Sequence, residues 1–348
     1  MSGLPTVLDS AGTALTPELA TALGAAMDFA AEAFSDGTKR VYRTAWRQFD
    51  SWCLRNGLAS MPANGSTLAL WMAALAESGI RPDTVGVKAA AVAWAHTYPP
   101  QVTGLTIPEW AGPYPSPTTA PEVKLLSKGI RRKAAKEGVT PEPADPVTSD
   151  LLRLLLHPID RKTSVRGRRD ACIILLGFAG GLRRSEIAGL KVGHVAFVPE
   201  GMQIILPTSK GSQDEAVRVP VLYARDSKLC PVKAMRDWLA ILKAEGQDDP
   251  KDNVFMEVTT ADRIWIEDGE PLRPESINRI VQKRAELAGV EGRISAHSLR
   301  AGIITDALLR GKAMAKVQDF ARHKDPKTTS RYFRDLDRFK GHPAEGLL

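Results

Sequence analysis

The chain has 348 residues and a formal charge of +7 at pH 7, so two domains are expected, and the basic balance favours a polyanionic partner. Its three cysteines, Cys53, Cys172 and Cys230, form no CxxC pair, which argues against a disulfide framework and a zinc site. We therefore expect the cysteines to be buried free thiols. Because no apolar run reaches the roughly 18 residues of a membrane span, we also expect a soluble cytoplasmic protein.

The first part of the chain is predicted to be all-helical. Residues 1–15 are small and polar, which is typical of a flexible N-terminus, and Thr16 followed by Pro17 marks the start of the first helix. Apolar side chains then recur at helical spacing. The expected helices cover 16–34, 35–57, 66–77, 82–97 and 121–137. Residues 16–137 are therefore interpreted as one helical domain.

The last of these helices is strongly basic. Its six cations are Lys124, Lys128, Arg131, Arg132, Lys133 and Lys136. Such a run is compatible with a solvated surface helix and with a helix that contacts phosphates. Residues 138–148, which are rich in proline and show no periodicity, are predicted to be an interdomain linker.

The second domain, 149–348, is predicted to be mainly helical with a small antiparallel sheet. It begins with an apolar segment, a basic patch at 160–170 and a buried helix at 171–180. The period then changes to two in the segments 202–207 and 216–221, which indicates a hairpin around a polar loop. Further helices are expected at 230–244, 275–288, 297–310 and 313–321, and across Tyr332.

Two short motifs in this domain place arginine where an anion could bind. In AGGLRRSEIAGL, residues 179–190, Arg183 follows a glycine pair and precedes a new helix; it could meet an anion there or pair with Glu186 at the surface. In SAHSLRAG, residues 295–302, His297 and Arg300 fall on one helical face. A fixed cation beside an imidazole suits a phosphoryl centre that develops negative charge.

A second pair of candidates concerns nucleophilic and acid chemistry. Tyr332 lies between arginines, nine residues after His323, so it is either a packed aromatic or a nucleophile stabilised by cations. Lys210 lies in the polar hairpin loop, where a lysine is normally solvated but could protonate a leaving oxygen. Tyr223 is the other tyrosine of this domain.

Several other enzyme classes are disfavoured by the motifs. The six histidines, His96, His157, His194, His297, His323 and His342, show no metal-ligand spacing such as HExxH. The chain has no GxSxG, no Walker loop, and no GxGxxG after a strand. Metal-dependent enzymes, serine hydrolases, NTPases and dehydrogenases are therefore poor interpretations.

Read in chain order, the candidates form one pattern: Arg183 with Glu186, Lys210 on a hairpin, His297 with Arg300, His323, and Tyr332 nine residues on. By this ordered set the chain resembles the tyrosine recombinases of the phage integrase family, and the segment YFRDLD with the helix order resembles the Cre-like members. Two departures are small: the family often has Thr-Gly at Gly180 and Gly181, and glycine at Arg322. The second departure affects the expected geometry around His323.

The resemblance implies a function for each candidate. Tyr332 would attack a DNA phosphodiester, Arg183 and Arg300 would hold its nonbridging oxygens, and Lys210 would protonate the leaving 5′ oxygen. His297 would handle the tyrosine proton, His323 would donate a hydrogen bond, and Glu186 would orient the arginines. No cofactor or metal is implied.

The resemblance also implies an assembly. The helical first domain resembles the SAM-like core-binding domain, and the two domains would close round double-stranded DNA as a clamp. Four copies would assemble on two specific sites. Two alternatives stay open at this point: a type IB topoisomerase-like enzyme, which reseals the original strand, and a catalytically silent DNA-binding regulator.

Overall fold

The computed structural model describes residues 16–108, 110–139, 144–207, 216–266 and 270–336. The chain separates into two compact units, which divide between residues 142 and 143. Among the described residues, the α-helices of the first unit are α1 (Pro17–Glu32), α2 (Asp36–Arg55), α3 (Gly65–Glu77), α4 (Pro82–Thr97), the short α5 (Pro100–Thr103) and α6 (Pro121–Lys136), and no strand is present. Thr16 caps α1 through its side chain, as the sequence predicted.

The core of the first unit is aromatic. Trp46 and Phe49 of α2 are buried against Trp71 of α3 and Trp94 of α4, and Cys53 lies in the same cluster. The aromatic face of α2 therefore serves packing and is not exposed for stacking on another molecule. All three cysteines are free and buried, which confirms that prediction.

The second unit is mostly helical with one small sheet. Its helices are α7 (Ser149–Leu156), α8 (Val165–Ala179), α9 (Arg184–Ala188), α10 (Pro231–Ala244), α11 (Pro274–Leu287), α12 (Ala296–Leu309), α13 (Met314–Ala321) and α14 (Pro326–Leu336). The strands β1 (Val195–Val198), β2 (Gly201–Leu206) and β3 (Val217–Leu222) form an antiparallel sheet in that order. The mainly α class with a small antiparallel sheet is confirmed, and β1 is a strand that the sequence did not predict.

Helix α8 begins earlier than the sequence indicated. The prediction placed it at 171–180, after a basic patch at 160–170, but the helix already begins at Val165. Asp262, from a distant turn, accepts hydrogen bonds from the backbone N–H groups of Val165, at 2.9 Å, and Arg166, at 2.8 Å. The local N-cap is Ser164, whose hydroxyl accepts from a first-turn N–H at 2.9 Å, and Asp262 adds acceptors from a segment that leaves no signal in the local sequence.

Part of that basic patch has an internal structural role. Arg169 is buried and pairs with Asp170 at 2.8 Å, and Arg284 of α11 pairs with the other oxygen of the same carboxylate at 2.6 Å. These cations join α8 to α11 inside the unit. They are therefore not available as a surface patch.

The centre of the second unit positions α12. The buried stretch of α8 packs against α12, and the backbone N–H of Val147 donates to the carbonyl of Ser298 at 2.9 Å. A Cβ on Gly302 would lie 1.7 Å from the carbonyl oxygen of Val147, so only glycine allows the two segments to approach. None of the helices in the described part of the chain is both long enough and apolar enough to cross a bilayer.

Candidate active site

The turn between α8 and α9 presents Arg183. Helix α8 ends at Ala179, Gly180 caps it, and Gly181 adopts a left-handed φ of 53°. A Cβ on Gly181 would also lie 3.0 Å from the ring of Phe320, so this turn depends on glycine in two ways. The chain then enters α9, with Arg183 as its N-terminal cap.

Glu186 holds Arg183 by both its side chain and its backbone. Oε1 accepts from Nη1 of Arg183 at 2.6 Å, and Oε2 accepts from the backbone N–H of Arg183 at 2.8 Å. The pair expected under the surface interpretation does form, but the side chain of Glu186 is only 4% exposed and that of Arg183 is 21% exposed. The contact is an internal brace for an arginine that still reaches solvent.

Helix α12 brings His297 and Arg300 to the same place. Arg300 is 1% exposed; Nη1 donates to the carbonyl of Gly181 at 2.5 Å and Nη2 donates to the carbonyl of Ala321. Burial lowers the pKa of Arg300 to about 10, and the nearby charges of Arg183 and Arg322 lower it as well. The guanidinium therefore stays charged at neutral pH while it joins two turns of the chain.

Tyr332 faces His297 from α14. Its hydroxyl lies 3.2 Å from Nε2 of His297, and its ring packs against a small apolar cluster that includes Ile304 and Val317. Burial raises the pKa of Tyr332, although the charge of Arg300 acts in the opposite direction. Burial lowers the pKa of His297, and the charges of Arg300 and Arg183 lower it further. His297 is thus neutral at pH 7 and able to accept a proton.

The ring of His323 stacks on that of Tyr332. The two rings are nearly parallel, with an interplanar angle of 6° and centroids 6.1 Å apart. Nδ1 of His323 lies 2.9 Å from Oγ1 of the buried Thr329. Burial lowers the pKa of His323 to about 4, and the charges of Arg300 and Arg183 are the next contributions. A neutral His323 that accepts from Thr329 keeps an N–H on Nε2 as a donor.

The structure thus brings together six candidates predicted from the sequence: Arg183, Glu186, His297, Arg300, His323 and Tyr332. The seventh, Lys210, lies outside the described residues, between the paired strands β2 and β3. Tyr223 is exposed, and its hydroxyl accepts from Arg236 at 3.3 Å. Tyr223 is therefore a surface residue with a different partner.

Two residues at this site were not predicted to take part. Thr329 orients His323, but only the fold shows that its side chain points to the ring. Arg322 was noted only as a departure from glycine; its guanidinium donates to Glu186 Oε2 at 3.0 Å. The signal available in the sequence was a large basic residue where glycine is usual.

The described residues hold no group of histidines, cysteines and carboxylates that could bind a metal ion. The charge at the site comes instead from three guanidinium groups, Arg183, Arg300 and Arg322, around the single carboxylate of Glu186. Such a cluster with excess positive charge fits an anion, and a phosphodiester matches the bidentate donors of arginine.

The basic helix α6 lies in the first unit, where five of its six cations divide between two environments. Lys124, Lys128, Arg131 and Arg132 line a cavity of about 680 Å³ together with small side chains of α4. Lys133 instead lies 3.0 Å from the carboxylate of Glu77, whose hydrogen bond raises the pKa of the lysine. The six cations therefore do not share one face.

Comparisons with known proteins give consistent matches. The model of the phage integrase family matches residues 147–338. The integrase/recombinase xerD homolog of Selenomonas ruminantium is 28% identical over 310 residues, which cover 88% of this chain and 84% of that protein. A tyrosine recombinase of Pseudothermotoga lettingae is 28% identical over 185 residues, or 53% of this chain and 56% of that protein.

A solved structure also shares the fold. The lambda integrase dimer bound to a COC′ core site has a TM-score of 0.51 at 14% identity, over 94% of this chain and 83% of that chain. None of the three names bears on the narrower Cre-like likeness, which stays a prediction.

Proposed function

This chain belongs to the phage integrase family, and we infer that it is a site-specific tyrosine recombinase that cuts and rejoins DNA through Tyr332. The observation that carries this inference is the contact of 3.2 Å between the Tyr332 hydroxyl and Nε2 of a neutral His297, beside the buried Arg300. A tyrosine is a weak nucleophile at neutral pH unless a base and a cation activate it, and we propose that His297 and Arg300 do so.

The proposed reaction is an in-line exchange at phosphorus. As the bond from Oη of Tyr332 to phosphorus forms, the bond from phosphorus to the 5′ oxygen breaks, which leaves a 3′-phosphotyrosyl link and a 5′-hydroxyl. His297 takes the tyrosine proton. The 5′-hydroxyl of a partner strand then attacks the link, releases Tyr332 and joins a new strand. Since one phosphoester replaces another at each step, the exchange needs no external energy.

The arginines fit the charge of the transition state. We propose that Arg183 and Arg300 bind the nonbridging oxygens of the pentacoordinate phosphorus, with Glu186 orienting Arg183. Arg300 donates two of its five N–H groups to backbone carbonyls, so others remain for a ligand. His323 would add a donor from its unused ring nitrogen. Preorganised donors of this kind are effective because they need no rearrangement as charge develops.

Lys210 is proposed as the acid that protonates the leaving 5′ oxygen. The support is its place in the sequence, in the loop between β2 and β3. The cations of α6, Lys124, Lys128, Arg131, Arg132, Lys133 and Lys136, are proposed to bind DNA phosphates, most directly the four that line the α6 cavity. Lys133 is the weakest member because Glu77 already pairs with it.

We further propose that residues 16–137 and 149–348, joined by the linker 138–148, close round double-stranded DNA, and that a homotetramer acts on two sites in the cytoplasm. A recombinase exchanges strands between duplexes, whereas a type IB topoisomerase restores the original strand. Two duplexes that carry the same site and different flanking sequences separate these functions. The duplexes are found by tiling the DNA that flanks the gene.

Recombinant duplexes with exchanged flanks are the expected product, and the synaptic complex is expected to have the mass of four protomers on two duplexes. Relaxation of a supercoiled plasmid that carries the same site, without exchanged flanks between the duplexes, would point to the topoisomerase reaction. Binding of the site without cleavage would point to a silent regulator. A synaptic complex of another stoichiometry would contradict the tetramer alone.

The pH dependence of cleavage should follow His297. Because its pKa lies below the ordinary value of 6.5, the neutral base persists in mildly acidic solution, and protonation below that pKa removes it. With DNA well below saturation, the cleavage rate should reach half of its value at pH 8 only at a pH below 6.5. Single-turnover adduct formation measures this, and His297→Gln should remove the acid limb. A rate that already halves near pH 7 would contradict a lowered pKa.

A further inference from the structure

Arg322 occupies a backbone position that disfavours side chains. It ends α13 with φ 52° and ψ 45°, which is the left-handed region that glycine adopts without strain. Its N–H donates to the carbonyl of Asp319 at 2.9 Å, and the next residue, His323, donates to Gln318 at 3.2 Å. The turn therefore has the geometry of a glycine cap but carries a long cationic side chain.

That side chain turns inward and joins two distant turns. Nη2 donates to Glu186 Oε2 at 3.0 Å and to the carbonyl of Gly181 at 3.1 Å, and the side chain is only 9% exposed. The turn before α9, which carries Arg183, is thereby tied to the turn after α13, which carries His323. Arg300 donates to the same Gly181 carbonyl, at 2.5 Å.

The shared carboxylate links Arg322 to Arg183. Oε2 of Glu186 accepts from Arg322 and also from the backbone N–H of Arg183, while Oε1 accepts from Nη1 of Arg183. Removal of Arg322 would leave both oxygens of the buried carboxylate with partners from Arg183 alone, so the Arg183–Glu186 pair would lose its hydrogen bond to the turn after α13. The guanidinium of Arg183 would then lose its fixed direction.

We propose that Arg322 is a positioning residue for DNA cleavage, which acts through Glu186 and the Gly181 carbonyl to hold Arg183 in line with Tyr332. The proposal rests on the proposed function of the site. It differs from a merely structural role because Arg322→Gly relieves the left-handed backbone, so the fold should tolerate this change while the chemistry does not.

The test is single-turnover formation of the covalent adduct on nicked duplexes tiled from the DNA that flanks the gene, with protein in excess. Arg322→Gly should slow the adduct by about 10-fold to 100-fold, the effect of misplacing a catalytic group by about 1 Å. Affinity for uncleaved duplex, measured in the Tyr332→Phe background, should fall by much less than the rate, because the Arg322 guanidinium donates to Glu186 and to backbone carbonyls. Arg322→Lys keeps the charge but not the planar guanidinium group, so its rate of adduct formation should lie between those of wild type and Arg322→Gly.

Two controls show where the effect comes from. Lys324→Gly removes an exposed cation from the same turn and should cleave at the wild-type rate. In a Glu186→Gln background, Arg322→Gly should have little further effect, because the shared acceptor is already altered. Thermal unfolding of each variant tests whether it is folded at the assay temperature. If Arg322→Gly is unfolded there, the rate of Arg322→Lys is the test.

Arg322→Gly or Arg322→Lys that is folded and cleaves as fast as wild type would overturn the inference alone. So would a Lys324→Gly variant as slow as Arg322→Gly, since the effect would then be a general loss of charge. Wild type that forms no adduct on any duplex would overturn the proposed function, and the inference with it.

Discussion

Tyr332→Phe is expected to abolish covalent attachment to DNA and recombination, with a loss of at least about 10⁴-fold, because phenylalanine has no oxygen with which to form the link to phosphorus. Phenylalanine keeps the ring that stacks on His323 and packs against the small apolar cluster. Only the oxygen that faces His297 is removed. The variant should therefore fold and bind DNA as wild type does, and a gel that resolves denaturant-stable protein–DNA bands measures the loss.

Tyr223→Phe is the matched control for this change. It removes the hydroxyl of an exposed tyrosine that contacts Arg236 outside the cluster. Its adduct should form at the wild-type rate. A Tyr332→Phe protein that still gives the adduct would show that another side chain attacks the phosphate.

Arg300→Ala is expected to reduce the rate of adduct formation by about 10²-fold to 10³-fold, as the loss of a preorganised charged donor does in other enzymes. The change should also destabilise the second unit by roughly 3 kcal/mol, since it empties a buried site and leaves the carbonyls of Gly181 and Ala321 with fewer donors. Urea unfolding measures the stability, and single-turnover cleavage measures the rate.

Arg300→Lys separates the two effects. Lysine keeps the positive charge but cannot donate to both carbonyls and to a phosphate at once. Compared with Arg300→Ala, Arg300→Lys should recover part of the free energy of unfolding but little of the rate of adduct formation. If both variants cleave within about 3-fold of wild type under conditions in which they are folded, Arg300 does not stabilise the transition state.

Much of the fold follows from local patterns, because helix starts and apolar periodicity are written in neighbouring residues. Helix α4, at Pro82–Thr97, has the bounds that were predicted, and the proline at its first position is a sufficient reason. Helix α8 begins earlier than predicted, because Asp262, about 100 residues further along the chain, supports the first turn beside the local cap Ser164. The sequence does not show which distant carboxylate will reach a helix start.

The candidate site likewise has some features that local sequence predicts and others that depend on contacts between distant segments. The spacing of His297 and Arg300 predicts one helical face, and the structure places both there, with Tyr332 beside the histidine. The link between distant turns through Arg322, and the contact of Thr329 with His323, depend on how α9, α13 and α14 pack and have no local periodicity. Lys210 lies outside the described residues, so its role stays a prediction.

The most direct test of the account is to identify the residue that carries the phosphate. Wild-type protein trapped on a nicked duplex is digested with nuclease and trypsin, and the peptide that bears the nucleotide is sequenced by mass spectrometry. Tyr332 is the only tyrosine in the segment that ends at Arg334, and Tyr223 falls in a separate tryptic peptide. A nucleotide on Tyr332 is the predicted result. A nucleotide on Tyr223 or on any other side chain would contradict the account.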